Sequence, residues 1–229
     1  MKTWCITGTS RGIGLEFCKQ LLASGHSVIG CARNPEGARD HWELTSDFGS
    51  KFLSVELDVS SQASIENALV KLKGRAIDVL VNNAGVLKDP DSGLMNLSFE
   101  DLEATFRANT FGPMRVTKAI LPLMRQAAHP KVISITSKMG SIADNKSGGY
   151  YSYRMSKAAL NMFHASFAIE EPKVISAVLH PGWVQTSMGG QRAPTSTYDS
   201  VKGMIKVIEG LKLGESGCFK DYLGATIPW

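Results

Sequence analysis

Tyr153 and Lys157 stand four residues apart in the segment Tyr153-Arg154-Met155-Ser156-Lys157. On a helix, positions i and i+4 lie one above the other. A phenol and an ammonium then face one pocket, which suits the movement of a proton through a tyrosine. Tyr150 and Tyr151 crowd the same stretch, but four residues on they meet Arg154 and Met155. The spacing therefore selects Tyr153. A phenol with a pKa of about 10 is a poor base near neutrality. An ammonium within roughly 4–6 Å favours the phenolate. Lys157 is thus expected to lower the tyrosine pKa.

A second signal opens the chain, Thr7-Gly8-Thr9-Ser10-Arg11-Gly12-Ile13-Gly14. Its glycines allow a tight turn and close approach of backbone to phosphate. A helix starting there offers free N–H groups and its positive dipole end. Gly8, Ser10, Arg11, Ile13 and Gly14 are the expected contacts. Proteins that hold an adenosine 2′,3′-diol carry Asp or Glu at the end of the second strand, about 20 residues past such a turn. This chain has Cys31-Ala32-Arg33-Asn34 there, with no carboxylate. Arg33, bordered by Asn34, and Arg11 can meet a 2′-phosphate with charge-assisted bonds. The expected cofactor is NADP(H) rather than NAD(H).

Elements that could position these groups follow from the apolar pattern. Thr3–Thr7, Ser27–Ala32, Phe52–Leu57, Val79–Val81, Val132–Ile135 and Val174–Leu179 are short runs rich in Val, Ile and Leu. Such runs suit strands buried on both faces of a parallel sheet. Helices are expected over Gly14–Ser24, Ser61–Leu72, Phe99–Ala127 and Ser156–Ile169. The alternation implies an α/β fold, a doubly wound Rossmann-type parallel sheet with helices on both faces and right-handed crossovers. Ser60 and Ser98 read as N-caps, Gly25 as a left-handed helix stop, and Pro172 as the end of the Lys157 helix. One domain over 1–229 is expected, with a substrate loop at about 187–200, rich in Gly, Pro, Ser and Thr.

Ligands of open α/β sheets bind beyond the carboxyl ends of the strands, and the polar signatures fall there. Asp58 can accept from an adenine amino group while Val59 covers the ring. Asn83, Ala84 and Gly85 let a cofactor lie against backbone. Ser137 ends the fifth strand, with Ser134 and Ser141 as competitors for its role. After the sixth strand, Pro181 and Gly182 turn the chain outward, and Val184 and Thr186 can hold a carboxamide. His180 reads as a packed strand-end histidine rather than a base.

The remaining composition excludes several classes. A net charge of +4, spread evenly, does not argue for nucleic acid. Apolar runs fall short of a membrane span, and the start of the chain lacks a signal-peptide pattern. Four cysteines without metal-ligand spacing, of which Cys5 and Cys31 read as buried thiols, suggest a reducing, cytoplasmic setting and no metal.

With these residues in view, the chain resembles the short-chain dehydrogenase/reductase family along nearly its whole length. The resemblance rests on TGTSRGIG, Asp58, NNAG, Asn109, Ser137, YRMSK and PGWVQT, in that order. HPGWVQTSMGG, SVKGMIKVIEGL and IPW are similar to its C-factor and sniffer-type carbonyl reductase group. The resemblance implies a seven-stranded sheet of order 3-2-1-4-5-6-7 and a catalytic set of Asn109, Ser137, Tyr153 and Lys157. Tyr153 and Lys157 also touch the cofactor, Lys157 through ribose hydroxyls, and Asn109 supports a water chain from Lys157. Two departures stand out. Ser137 and Tyr153 are sixteen positions apart, more than is usual in the family. The Lys157 helix also ends early, so a monomer or homodimer is expected over a tetramer, with Phe163, Phe167 and Ile169 either core or interface.

Met139, Ile142, Tyr150, Trp183 and Met188 flank the chemical groups and suggest an apolar aldehyde, ketone or quinone. Three readings follow. One is an NADPH-dependent carbonyl reductase; the second is a C-factor-like signalling protein with NADP(H) as a bound ligand. The third is an alcohol dehydrogenase working oxidatively.

Overall fold

The structure is a computed structural model that describes residues 1–88, 93–125 and 127–229. Seven strands form one parallel sheet: β1 (Thr3–Thr7), β2 (Ser27–Ala32), β3 (Phe52–Glu56), β4 (Val79–Asn82), β5 (Lys131–Ile135), β6 (Ile175–His180) and β7 (Cys218–Asp221). Their order is β3-β2-β1-β4-β5-β6-β7, as the resemblance implies. The helices are α1 (Gly12–Ala23), α2 (Arg39–Phe48), α3 (Gln62–Leu72), α4 (Phe99–Phe106), α5 (Gly112–Met124), α6 (Tyr151–Glu170) and α7 (Thr197–Gly210).

Period-2 alternation sorts the strand residues between two cores. Trp4, Ile6, Val79, Val81, Ile133 and Ile135 pack under α1, α2 and α7. Cys5, Leu80 and Val132 face the opposite way, onto α3, α5 and α6. Phe167 of α6 belongs to this second core, whereas Ile169 is exposed. Cys5 and Cys31 are buried free thiols, with sulfurs 3.9 Å apart. Among the described residues, no helix is long and apolar enough to cross a membrane.

Several boundaries differ from the sequence reading. Ser61, not Ser60, caps α3 by accepting from the Ser64 N–H at 3.3 Å. Ser98 caps α4 as expected, accepting from Asp101. Gly25 adopts φ +83° just past α1, the left-handed stop a glycine makes cheaply. The helix expected over Phe99–Ala127 is divided. A π-helical turn over Arg107–Phe111 separates α4 from α5, which ends at Met124. Pro113 lacks an N–H, so the α-helical bond back to the Asn109 carbonyl cannot form. α6 starts at Tyr151 rather than Ser156. The expected loop at 187–200 gives up its last four residues to α7, which Ser196 caps through the Asp199 N–H at 2.9 Å.

The helices α2 and α7 and the strand β7 lie outside the runs read from the sequence. α2 follows the Arg33-Asn34 turn. Lys131, at the start of β5, is buried and donates to the carbonyls of Ile208, Glu209 and Leu211 at the end of α7. A cation there meets the negative pole of the helix.

Candidate active site

The turn after β1 is tied to β2 by one oxygen. The Cys31 carbonyl accepts from the N–H groups of Gly8 and Thr9 and from the Thr9 hydroxyl, at 2.8, 3.1 and 3.1 Å. Gly8 and Gly12 have φ of +73° and +57°, a region that side chains disfavour. Gly14 is excluded from carrying a side chain for a different reason. A Cβ there would lie 2.3 Å from the Gly8 carbonyl oxygen and 2.5 Å from Asn83 Nδ2. The start of α1 has no capping side chain, so its N–H groups are free to meet an anion. Arg11, Ser10, Arg33 and Asn34 are exposed around this turn. Neither arginine has an ion-pair partner among the described residues. Asn34 Oδ1 accepts from the Gly37 N–H at 2.9 Å, which shapes the turn beside Arg33.

Asn83 serves the backbone. Its amide donates to the Thr7 and Gly8 carbonyls at 2.9 and 3.1 Å, and the N–H groups of Asn83 and Ala84 donate to the Thr7 hydroxyl. Asp58 accepts from the Ser60 N–H at 2.8 Å. Val59 is buried against Gly112, where a Cβ would come within 2.9 Å of its methyl carbon. Thr186, after β6, reaches back to the β1 turn; its methyl would be 3.6 Å from a Cβ on Gly12. Val184 is buried and pairs in a bridge with Thr195, while Pro181 and Gly182 carry the chain out of β6. These residues gather along the carboxyl edge of the sheet, where open α/β sheets hold ligands in a crevice. The close backbone approaches, and arginines without an ion-pair partner among the described residues, fit a dinucleotide phosphate.

A buried hydrogen-bonded chain that no local sequence pattern signals lies beneath this crevice. His41 of α2 lies between Thr9 Oγ1, at 2.9 Å from Nε2, and Ser54 Oγ, at 2.7 Å from Nδ1. Because Thr9 donates to Cys31, it accepts from His41, which assigns the proton to Nε2. Burial lowers the pKa of this imidazole and keeps it neutral.

At the chemical end, α6 lies along β5 and presents Tyr153, Lys157, Asn161 and His164 on one face. Lys157 Nζ donates to the Ile135 carbonyl at 2.9 Å and stands 5.6 Å from the centroid of the Tyr153 ring. The Thr136 hydroxyl donates to Asn161 at 2.7 Å, and His164 bonds Ser134 and Ser176. Ser134 is thus engaged with His164. Ser141 accepts from the Asp144 N–H at 3.1 Å. Ser137 accepts from Met139 N–H at 3.1 Å and stands beside the Tyr153 phenol, whose pKa it draws downward.

Asn109 sits in the π turn. Its side chain accepts from the Val86 N–H at 2.8 Å and donates to the Val86 carbonyl and to Ser156 Oγ. Thr110 Oγ1 donates to the Ser156 carbonyl at 2.9 Å. The π turn thereby fixes the residue beside Lys157. Gly85 faces both groups, because a Cβ there would lie 3.2 Å from Asn109 Oδ1 and 3.7 Å from Lys157 Nζ.

One electrostatic expectation reverses. Burial pushes the Tyr153 phenol up to about 12, against the pull of Ser137. The Lys157 ammonium does not offset this, being itself buried and lowered to about 8. Desolvation penalises both charged forms. The phenol therefore keeps its proton at neutral pH. His180 is lowered to about 4 by burial, a poor base at neutral pH, and its buried Nδ1 has no partner among the described residues.

Of the apolar residues expected to flank the chemical groups, Ile142, Trp183 and Met188 are exposed, and Met139 and Tyr150 are half-buried. Trp183 Nε1 donates to the Gly189 carbonyl at 2.7 Å. Tyr150 has φ +50°, a conformation that costs a bulky residue about 1–2 kcal/mol.

Comparison with known proteins shows the family. A family profile described as short chain dehydrogenase matches residues 2–197. "C-signal" of Myxococcus xanthus is 49% identical over 159 residues, covering 67% of this chain and 93% of that protein. The NADPH-bound carbonyl reductase from chicken fatty liver superposes with a TM-score of 0.94 at 33% identity, over 100% of this chain and 99% of that one. The carbonyl reductase Sniffer of D. melanogaster gives a TM-score of 0.93 at 30% identity, with both chains fully covered. On the matched profile, the shared sheet order and these relatives, the chain belongs to the short-chain dehydrogenase/reductase family of oxidoreductases.

Proposed function

We propose that this protein is an NADPH-dependent carbonyl reductase. The observation that carries the reading is the placing of the Lys157 ammonium 5.6 Å from the centroid of the Tyr153 ring, with Ser137 beside the phenol. Bound in the crevice, the reduced nicotinamide dinucleotide supplies hydride. Tyr153 gives its proton to the carbonyl oxygen as charge develops there. Ser137 donates to the same oxygen and stabilises that charge. Lys157 holds the ribose hydroxyls, and its positive charge favours the phenolate left behind. Asn109 and Ser156 hold the lysine's surroundings, and the Asn109 carbonyl, without its α-helical donor, is the station for a water leading to solvent.

At the other end, Arg11 and Arg33 take the 2′-phosphate, with Ser10, Asn34 and Ile13 around them. Gly8 and Gly14 let backbone approach the pyrophosphate. Asp58 and Val59 receive the adenine, Asn83, Ala84 and Gly85 border the ribose, and Pro181, Gly182, Val184 and Thr186 hold the carboxamide. The exposed apolar rim of Ile142, Trp183 and Met188 favours an apolar aldehyde, ketone or quinone. We read 1–229 as one domain, with the non-helical part of 187–200 as the substrate loop. The chicken and fly relatives, named as carbonyl reductases, support this direction of reaction.

The similarity to C-signal favours a second reading, in which the dinucleotide is a bound ligand and turnover is secondary. Purified protein mixed with NADPH and a panel of aldehydes, ketones and quinones separates the two. Loss of NADPH absorbance that depends on the carbonyl compound is the expected result. Tight NADPH binding without consumption across the panel would favour the second reading.

A further inference from the structure

We propose that Arg154 is a positioning residue that clamps the long connection between Ser137 and Tyr153 and thereby sets which carbonyl compounds reach the phenol. The proposal rests on the reading of Tyr153 as proton donor. The connection leaves β5 through a 3-10 turn over Lys138–Gly140 and re-enters regular structure at Tyr151. Just before α6, three successive residues are left-handed: Gly148, Gly149 and Tyr150, with φ of +63°, +63° and +50°. A Cβ on either glycine would meet nothing within 4 Å. The glycines are needed here for backbone twist rather than for space, and Tyr150 takes the same twist while carrying a ring.

Arg154 bonds both flanks of this connection. Nη2 donates to Ser147 Oγ at 2.9 Å, Nε to the Gly148 carbonyl at 3.2 Å, and Nη1 to the Met139 carbonyl at 3.3 Å. One planar guanidinium thus joins the residue two past Ser137 to the start of the left-handed turn. Because Arg154 follows Tyr153 in the first turn of α6, the clamp is referred to the phenol itself. It fixes Met139 against Ser147 and Gly148, and so the stretch between Met139 and Tyr150, both of which are half-buried. A lysine cannot reproduce the planar fork of a guanidinium.

The test compares wild type, Arg154→Ala and Arg154→Lys with NADPH and two probes, hexanal and 9,10-phenanthrenequinone. Both variants should change the ratio of kcat/KM for the two probes by about tenfold, since a misplaced wall alters attack geometry. The Kd for NADPH should stay within about twofold of wild type, because the crevice lies on other loops. Millimolar guanidinium should return the Arg154→Ala ratio toward wild type and leave the wild-type ratio unchanged. An unchanged ratio, or equal losses for both probes without rescue, would overturn the clamp. Amide hydrogen exchange over 141–150 gives a readout independent of turnover. It should speed up in Arg154→Ala and slow again with guanidinium; unaltered exchange contradicts the proposal. Should Arg154→Ala not fold, Ser147→Ala, which removes one of the three bonds, must shift exchange in the same direction. If wild type binds NADPH but reduces neither probe, it is the reductase reading that fails, and exchange still decides the clamp.

Discussion

The two ends of the crevice are built differently. At the dinucleotide end the backbone does the positioning, and side chains serve mainly to fix it. Thr7, Thr9 and Asn83 all spend their polar groups on main-chain atoms of the β1 turn or its neighbours. What matters there is which atoms are absent, as at Gly14. At the chemical end the working atoms belong to side chains, Tyr153 and Lys157 on one face of α6 with Ser137 and Asn109 brought to them from other elements. Their behaviour is set by burial, which moves Tyr153 and Lys157 in opposite directions to about 12 and about 8. A substitution at the first end should therefore act on coenzyme affinity, and one at the second on turnover and its pH dependence.

The largest effect expected from this contrast lies at Gly14. Gly14→Val must displace the Gly8 carbonyl or Asn83, both part of the turn. Overpacking of this kind costs about 1–3 kcal/mol or more. In thermal melting the variant should lose the rise in Tm that NADPH gives wild type; a full NADPH-dependent rise would break the comparison. Next in size is the choice of coenzyme. Arg33→Asp replaces a cation with a carboxylate suited to a ribose diol and should lower the NADPH-to-NADH ratio of kcat/KM by about 100-fold. An unchanged ratio would remove Arg33 from the 2′-phosphate site.

The pH profile sharpens the other side. Lys157 is lowered from 10.5 to about 8, so its charge is lost as pH rises through 8 rather than through the ordinary lysine range. Tyr153 stays protonated throughout. Carbonyl reduction should therefore hold level below pH 8 and fall above it, approaching about tenfold per unit. A flat profile to pH 10 would contradict the lysine's role. The smallest effect concerns His41. His41→Leu removes the donor to Thr9 and should weaken NADPH binding by about three- to tenfold, leaving kcat alone. His41→Gln, which can keep that donor, should recover most of the loss.

Much of this architecture was legible beforehand, for physical reasons. Strands buried on both faces are continuous Val, Ile and Leu runs, so six of seven were found by composition to within two residues. The glycine turn and the four-residue Tyr153–Lys157 spacing are local patterns, and both fall where local patterns predict. α2 escaped because it is short and polar and starts without a capping side chain, and α7 because its first turn lies in the Gly-, Pro-, Ser- and Thr-rich stretch read as a loop. The π turn escaped because a bulge keeps the composition of an ordinary helix. Arg154 stood in plain view, but its partners include Met139, fifteen residues earlier. His41 and Lys131 likewise find partners 32 and 77 or more residues away. The direction of the Tyr153 shift was misjudged because spacing reports proximity to a cation and says nothing of burial.

The most direct measurement is a paired titration and turnover assay on Tyr153→Phe, which removes one oxygen and leaves the ring. NADPH should bind within about twofold of wild type, while carbonyl-dependent NADPH oxidation falls by about 10³-fold, the scale of a lost proton donor. A variant that binds NADPH and reduces carbonyl compounds at the wild-type rate would contradict the account at its centre.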